Sequence, residues 1–231
     1  MPSGEDKAKM IAARAAVESL LRDRKLDVTL TSARPWAEPD DTAATGCPEI
    51  DAPLHGGLRR GHISEIVGPR SSGRTSVLCR LLAAATARGE VVAVIDTCDR
   101  FDPAAASDAG VDLSRLLWVR ESGDAARALK GMNLVLQAGG FGIVAFDLAD
   151  VPMMTVRQFP YTTWMRIARV IEGSQTAAVL LGADRIARSP GGVTVALGAG
   201  AAAPGGTWHG DADRARFLSA LDVHPRIVSA R

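Results

Sequence analysis

Cysteine is scarce: Cys47, Cys79 and Cys98 are the three in 231 residues. An odd number with no CxxC spacing excludes a disulfide framework or a zinc knuckle and makes reduced thiols the expectation. Aromatics make up 4% of the chain, with a single tyrosine. Lysine is rare as well, 4 residues against 23 arginines. A surplus of either charge is missing: 27 basic and 26 acidic residues leave a formal net charge of +1. That excludes a uniformly basic nucleic-acid glove, though not a local patch. No apolar run reaches the length of a membrane span, and the polar Met1–Met10 stretch does not open like a secretory signal. The expected location is the cytoplasm of a bacterial-type cell.

What is present is 47% hydrophobic and 23% charged sequence, enough for a sizeable core. Residues 5–25 place Met10, Ala13, Val17, Leu20 and Leu21 at helical spacing with charges between them. A short extended segment over 26–31 follows, then a linker with Pro35 and Pro39. Such a detached stripe either packs on its own domain or docks on a neighbouring subunit or partner. The expected division is an arm over 1–34, a linker over 35–45, a core over 46–200 and a tail over 201–231.

From residue 46 the pattern alternates strand and helix. Strands are expected at 62–67, 91–96, 116–119, 142–147, 177–181 and 193–197. Helices are expected at 74–88, 124–138 and 163–172. Continuous apolar runs such as VVAVID and GIVAFD fit a parallel sheet covered on both faces, built from βαβ units. Residues 198–206 read as a low-complexity loop. The tail, with Trp208, Phe217 and Leu221, reads as a short amphipathic helix that docks on a partner or covers the sheet.

The chemistry is concentrated in Gly68-Pro69-Arg70-Ser71-Ser72-Gly73-Arg74-Thr75-Ser76, which lies between an expected strand and an expected helix. Two glycines with four residues between them, then a basic residue and a hydroxyl, form a phosphate-binding loop. Its amides converge on phosphate oxygens at the positive end of a helix. Thr75 would place its hydroxyl on Mg²⁺, and Asp147, ending a later apolar strand, would hold the ion through water. The usual lysine of this loop is Arg74, a broad planar group in place of a compact charge. Asp102-Pro103 reads either as a helix cap or as a residual nucleotide contact. Arg157, Arg166, Arg169, Arg185 and Arg188 are candidate DNA contacts or a solvated rim.

The stretch TGCPEIDAPLHGGLRRGHISEIVGPRSSGRTS, followed by VVAVIDTCDRFDPAAASDAGVDLSRLLWVR, resembles the core of the RecA recombinases over roughly 45–200. FPYTTWMRIARVIEGSQTAAVLL is similar to the RecA-like accessory proteins called ImuA, also described as SulA-like. The resemblance implies a RecA-like α/β fold: a mostly parallel twisted sheet flanked by helices, with an N-terminal arm. It implies a part in SOS mutagenesis and translesion synthesis. In that part the arm would meet RecA or a second copy of the chain, the tail would meet an ImuB-like polymerase-family protein, and DNA would be held weakly if at all.

The departures from the family point away from turnover. The family's catalytic glutamate position is Cys98, a poor proton acceptor at neutral pH. The adenine-stacking tyrosine that follows the family's Asp-Pro is replaced by Ala104-Ala105, and the loop lysine by Arg74. The segments that carry DNA-contacting loops are short, about 16 residues between Asp147 and Trp164 and about ten between Gly182 and Val193. No catalytic residue is assigned. ATP and Mg²⁺ are expected to bind weakly or not at all, and the alternative expectation is an active DNA-dependent ATPase or recombinase.

Overall fold

The structure is a computed structural model that describes residues 42–187, 192–198, 205–209, 217–222 and 224–229, with 205–209 and 217–222 described as backbone. The expected arm, with Met10, Ala13, Val17, Leu20 and Leu21, lies outside the described residues, as does Arg188.

A short antiparallel pair, β1 (Thr42–Ala43) and β2 (Leu58–Arg59), brackets the one-turn helix α1 (Pro48–Asp51). The main sheet then builds in chain order. Strand β3 (Ile63–Val67) leads into helix α2 (Arg74–Ala87). Next come β4 (Val92–Asp96), α3 (Pro103–Asp108), β5 (Leu116–Arg120) and α4 (Ala125–Ala138). These are followed by β6 (Ile143–Asp147), α5 (Met153–Val156), α6 (Tyr161–Ile171) and β7 (Ala177–Gly182), and then by β8 (Val193–Ala196). Strands β9 (Gly205–His209) and β10 (Phe217–Asp222) pair as an antiparallel hairpin, and β11 (Arg226–Ser229) is the last element.

The seven-stranded sheet has the order β11-β8-β3-β7-β6-β4-β5. All pairs are parallel except β11 with β8. Every residue of β3, β4 and β7 is buried, as two covered faces require. The helices sort by the direction of their crossover. Those on the outward path from β3 through β4 to β5, namely α2 and α3, bury Leu78, Leu81, Leu82 and Ala106 on one face. Those on the way back, α4 and α6, bury Ala128, Met132, Trp164 and Ile167 on the other. That segregation is what crossovers of a single hand produce. Core strands and the three long helices lie within two residues of their expected bounds.

The tail differs from expectation. Its described residues are strands and not a helix, and β11 pairs along β8 as a full member of the sheet. The reason is visible in Arg226-Ile227-Val228-Ser229, two adjacent β-branched residues that suit a pleated ladder better than a helix. Among the described residues no helix is long and apolar enough to cross a membrane.

Candidate phosphate-binding site

Loops after β3, β4, β6 and β7 emerge together at the carboxyl-terminal edge of the sheet. Adjacent strands there send their chains in opposite directions, β3 toward β4 and β7 toward β8. Crevices at such switch points are where open α/β sheets place ligands.

The 68–73 loop is shaped by close approach. A Cβ on Gly68 would stand 2.6 Å from the Leu197 carbonyl oxygen and 2.6 Å from Ser72 Oγ. The Gly68 amide donates to the Gly182 oxygen at 3.2 Å, which ties the loop to β7. Ser71 (φ 61°) and Gly73 (φ 92°) are both left-handed, and they turn the chain into α2. Gly73 caps the helix without a side chain, so the first-turn amides of Arg74, Thr75 and Ser76 are left without a capping acceptor.

Two buried side chains in this loop also lack partners. Ser72 is 2% exposed, and its hydroxyl makes no hydrogen bond. Arg74 is 8% exposed, and its Nη1 makes none. Burial pushes the Arg74 guanidinium below its ordinary value, while the nearby Asp147 and Asp150 hold it up and Arg70 opposes it. The Arg74 head therefore lies inside the crevice beside the end of β6. Thr75 and Ser76 are exposed at its mouth, as is Pro69.

Asp147 ends β6 and accepts from the Ala149 amide at 2.8 Å. Burial pushes its carboxyl up; the Ala149 amide and Arg74 work against that, and Asp96 and Asp150 add to it. Its register partner on β4 is Asp96. Asp150 accepts from Arg70 at 3.0 Å.

The loop after β4 is closed on itself. Asp96 accepts from the amides of Arg100 (3.0 Å) and Phe101 (2.8 Å) and from Trp118 Nε1 (3.3 Å). Asp99, left-handed at φ 55°, is held by both nitrogens of the Arg120 fork at 2.8 Å. Arg120 also stacks 4.5 Å from the Trp118 ring centre. Asp102 caps α3 by accepting from the amides of Ala104 (2.9 Å) and Ala105 (3.3 Å), so this carboxylate serves the helix, with Pro103 in the first turn. Cys98 is half-buried, and burial together with the negative charges of Asp150, Asp147 and Asp96 pushes its thiol up. Cys98 also packs against the core cluster that holds Ile95, Phe146 and Leu148.

Arg157, Arg166, Arg169 and Arg185 are all exposed. Arg157 lies 3.9 Å from Asp184. The segment between β6 and α6 is packed into the core through Leu148, Val151 and Val156. Trp208, Phe217 and Leu221 fall on β9 and β10.

Glu65 is absent from the sequence-based candidates. Buried in mid-β3, it accepts from the amides of Ile186 (2.8 Å) and Ala187 and from Thr194 Oγ1 (3.2 Å). A carboxylate inside a five-residue strand that is apolar apart from Ser64 was the available signal, since buried charges are retained only where they are satisfied.

The arrangement fits a phosphate group. The uncapped first turn of α2, the unpartnered Ser72 hydroxyl and the buried Arg74 belong to one tight loop that leaves no room for a side chain at position 68. It does not fit a divalent ion equally well: Asp147 has the Arg74 guanidinium as an electrostatic neighbour, and Asp96 is saturated by three donors.

Strand, left-handed glycine loop, helix and a carboxylate two strands away define a phosphate-loop α/β protein. The RecA N-terminal domain family matches residues 30–156, more than half of the chain, and the chain belongs to that family. It is 33% identical over 149 residues to the RecA protein of Kineococcus radiotolerans, covering 64% of this chain and 42% of that one. With the RecA protein of Mycobacterium ulcerans the identity is 38% over 111 residues, covering 48% and 32%. With that of Chlorobium chlorochromatii it is 37% over 106 residues, covering 45% and 30%. The match thus spans well under half of these relatives' length. A solved structure, the crystal structure of the RadB recombinase, overlays with a TM-score of 0.48 at 18% identity, covering 61% of this chain and 69% of that chain.

Proposed function

We propose that this chain is a RecA-family accessory protein of the ImuA type, a scaffold or modulator of RecA and an error-prone polymerase complex in damage-induced mutagenesis. In this reading the phosphate loop binds and does not turn over. One observation carries the loss of turnover: every carboxylate of the loop after β4 is committed elsewhere, while the position of the family's catalytic glutamate holds the Cys98 thiol. Asp96 holds the loop, Asp99 is locked by Arg120, and Asp102 caps α3. A protonated thiol cannot take a proton from water at neutral pH, so hydrolysis has no general base.

The assignment to damage-induced mutagenesis rests on the ImuA-like run over 159–181. The arm over 1–31 would dock on RecA or on a second copy of the chain. The tail, through Trp208, Phe217 and Leu221, would meet an ImuB-like partner. The exposed arginines Arg157, Arg166, Arg169 and Arg185 offer DNA at most a dispersed electrostatic contact.

DNA-stimulated ATP hydrolysis, with Asp147→Ala as the control, tests the reading. Background-level release from both proteins is the expected result. Turnover well above background that Asp147→Ala abolishes would establish the active-ATPase alternative instead.

A further inference from the structure

The loop carries more positive charge than a phosphate site needs if a divalent ion also binds there. Arg74 is buried with Nη1 unpartnered, and Asp147 and Asp150 are its electrostatic neighbours. Arg70, in the same loop, reaches Asp150 from a side chain that is 83% exposed. An ion pair with so exposed a partner is weak, so Arg70 is free to exchange Asp150 for a ligand. The first-turn amides of α2 add their dipole to the two guanidiniums.

A guanidinium differs from an ammonium here in three ways. It keeps its charge when desolvated, its donors diverge in a fork, and one fork can bridge two phosphate oxygens. Those are the tasks a metal ion performs on a polyphosphate: neutralising charge and linking neighbouring oxygens. A divalent ion placed beside Asp147 would instead lie next to the buried Arg74 cation, in low dielectric, where like charges repel most.

We infer that the Gly68–Ser76 loop takes a polyphosphate without a divalent cation, with Arg74 standing in for the ion between the phosphate oxygens and Asp147. This rests on the binding half of the proposed function. The shared chemistry is a chain of linked phosphates, whether carried by a nucleoside or free. With Ala104 and Ala105 after Asp102-Pro103, no aromatic side chain stands at the family's base-stacking position.

The test is isothermal titration calorimetry of the full chain with ATP and with tripolyphosphate, each in excess Mg²⁺ and in EDTA. The same series is run on Arg74→Lys and on Thr75→Ala. The wild type is expected to bind with affinities that agree within about twofold in the two buffers. Arg74→Lys, which restores a compact charge and leaves room beside Asp147, is expected to gain an Mg²⁺ preference of about tenfold or more.

Thr75→Ala guards against misfolding of the Arg74 variant, because Thr75 is exposed and its amide survives the change. Its affinity is expected to stay equal in both buffers. Tripolyphosphate bound as tightly as ATP identifies any polyphosphate as the ligand; ATP alone identifies a nucleotide. Either supports the inference if Mg²⁺ is without effect.

The inference is overturned if Mg²⁺ tightens wild-type binding tenfold. It is overturned equally if Thr75→Ala weakens binding in Mg²⁺ alone, or if no heat is seen with either ligand. In the last case the loop is a relic and the scaffold reading, tested by hydrolysis, still stands.

Discussion

Two loops meet at the crevice, and they dispose of their polar atoms in opposite ways. The loop after β3 keeps Ser72 Oγ and Arg74 Nη1 without partners and starts its helix with no side-chain cap. The loop after β4 satisfies each of its carboxylates, with Asp96 taking three donors, Asp99 two and Asp102 two. Buried donors without partners cost stability unless something else supplies an acceptor. Among the described residues the loop after β4 leaves the Thr97 hydroxyl without a partner, whereas the loop after β3 leaves both a hydroxyl and a guanidinium nitrogen. The carboxylates of the second loop are spent on its own closure.

The contrast can be broken from the saturated side first. Asp96→Ala strands two buried amides and an indole N–H, and it is expected to cost about 3 kcal/mol in urea unfolding. Unchanged stability would show that water replaces the carboxylate there and that the loop is not held by it. Next in size, Cys98→Glu puts a carboxylate at the position of the family's catalytic glutamate. Hydrolysis of ATP is expected to rise about 30-fold or more over the wild type, provided the loop binds, since a positioned base is worth at least that. A variant as inactive as the parent would mean that the lost step lies elsewhere.

Gly68→Ala drives a Cβ into backbone at 2.6 Å and is expected to destabilise by about 2 kcal/mol. Thermal unfolding with and without tripolyphosphate would show the fold weakened and the ligand's stabilising shift reduced together. Ser72→Ala removes a buried hydroxyl that bonds to nothing, so stability is expected to hold or rise by up to about 1 kcal/mol while phosphate affinity falls. That pairing of undiminished stability with weaker binding is the sharpest separation between the loops.

Asp147 supplies a pH test. Its carboxyl is raised in the folded protein, so the folded state holds the proton more tightly than the unfolded chain does. Its contribution to stability is present below the ordinary aspartate range and is lost as pH rises through the higher folded value. Asp147→Asn is expected to remove this decline and to leave the protein more stable than the parent at neutral pH, by a smaller margin than the changes above. A steeper decline in the variant would contradict the assignment.

Much of this was legible in the residues. Continuous apolar runs located β3, β4, β6 and β7, and the glycine spacing located the phosphate loop. What escaped had no local signature. Glu65 serves Ile186, Ala187 and Thr194, all more than a hundred positions away, so only the folded sheet shows why a charge sits in that strand. Asp99 and Arg120 are 21 residues apart and pair because β4 and β5 are neighbours in register. The tail misled because helical spacing of Phe217, Leu218 and Leu221 also suits a strand with a bulge, and β10 carries such an irregularity between Leu218 and Ala220.

Glu65 has a practical consequence for anyone screening this protein for loss of function. It lies three positions before Gly68, and its replacement by alanine would silence the protein as thoroughly as a change in the loop itself. A survey scored only by phenotype would therefore group it with the ligand contacts. Its side chain anchors the root of the segment between β7 and β8, so the same alanine variant should also be short-lived in the cell and poorly recovered from it. Abundance scored beside phenotype would separate the anchor from the contacts.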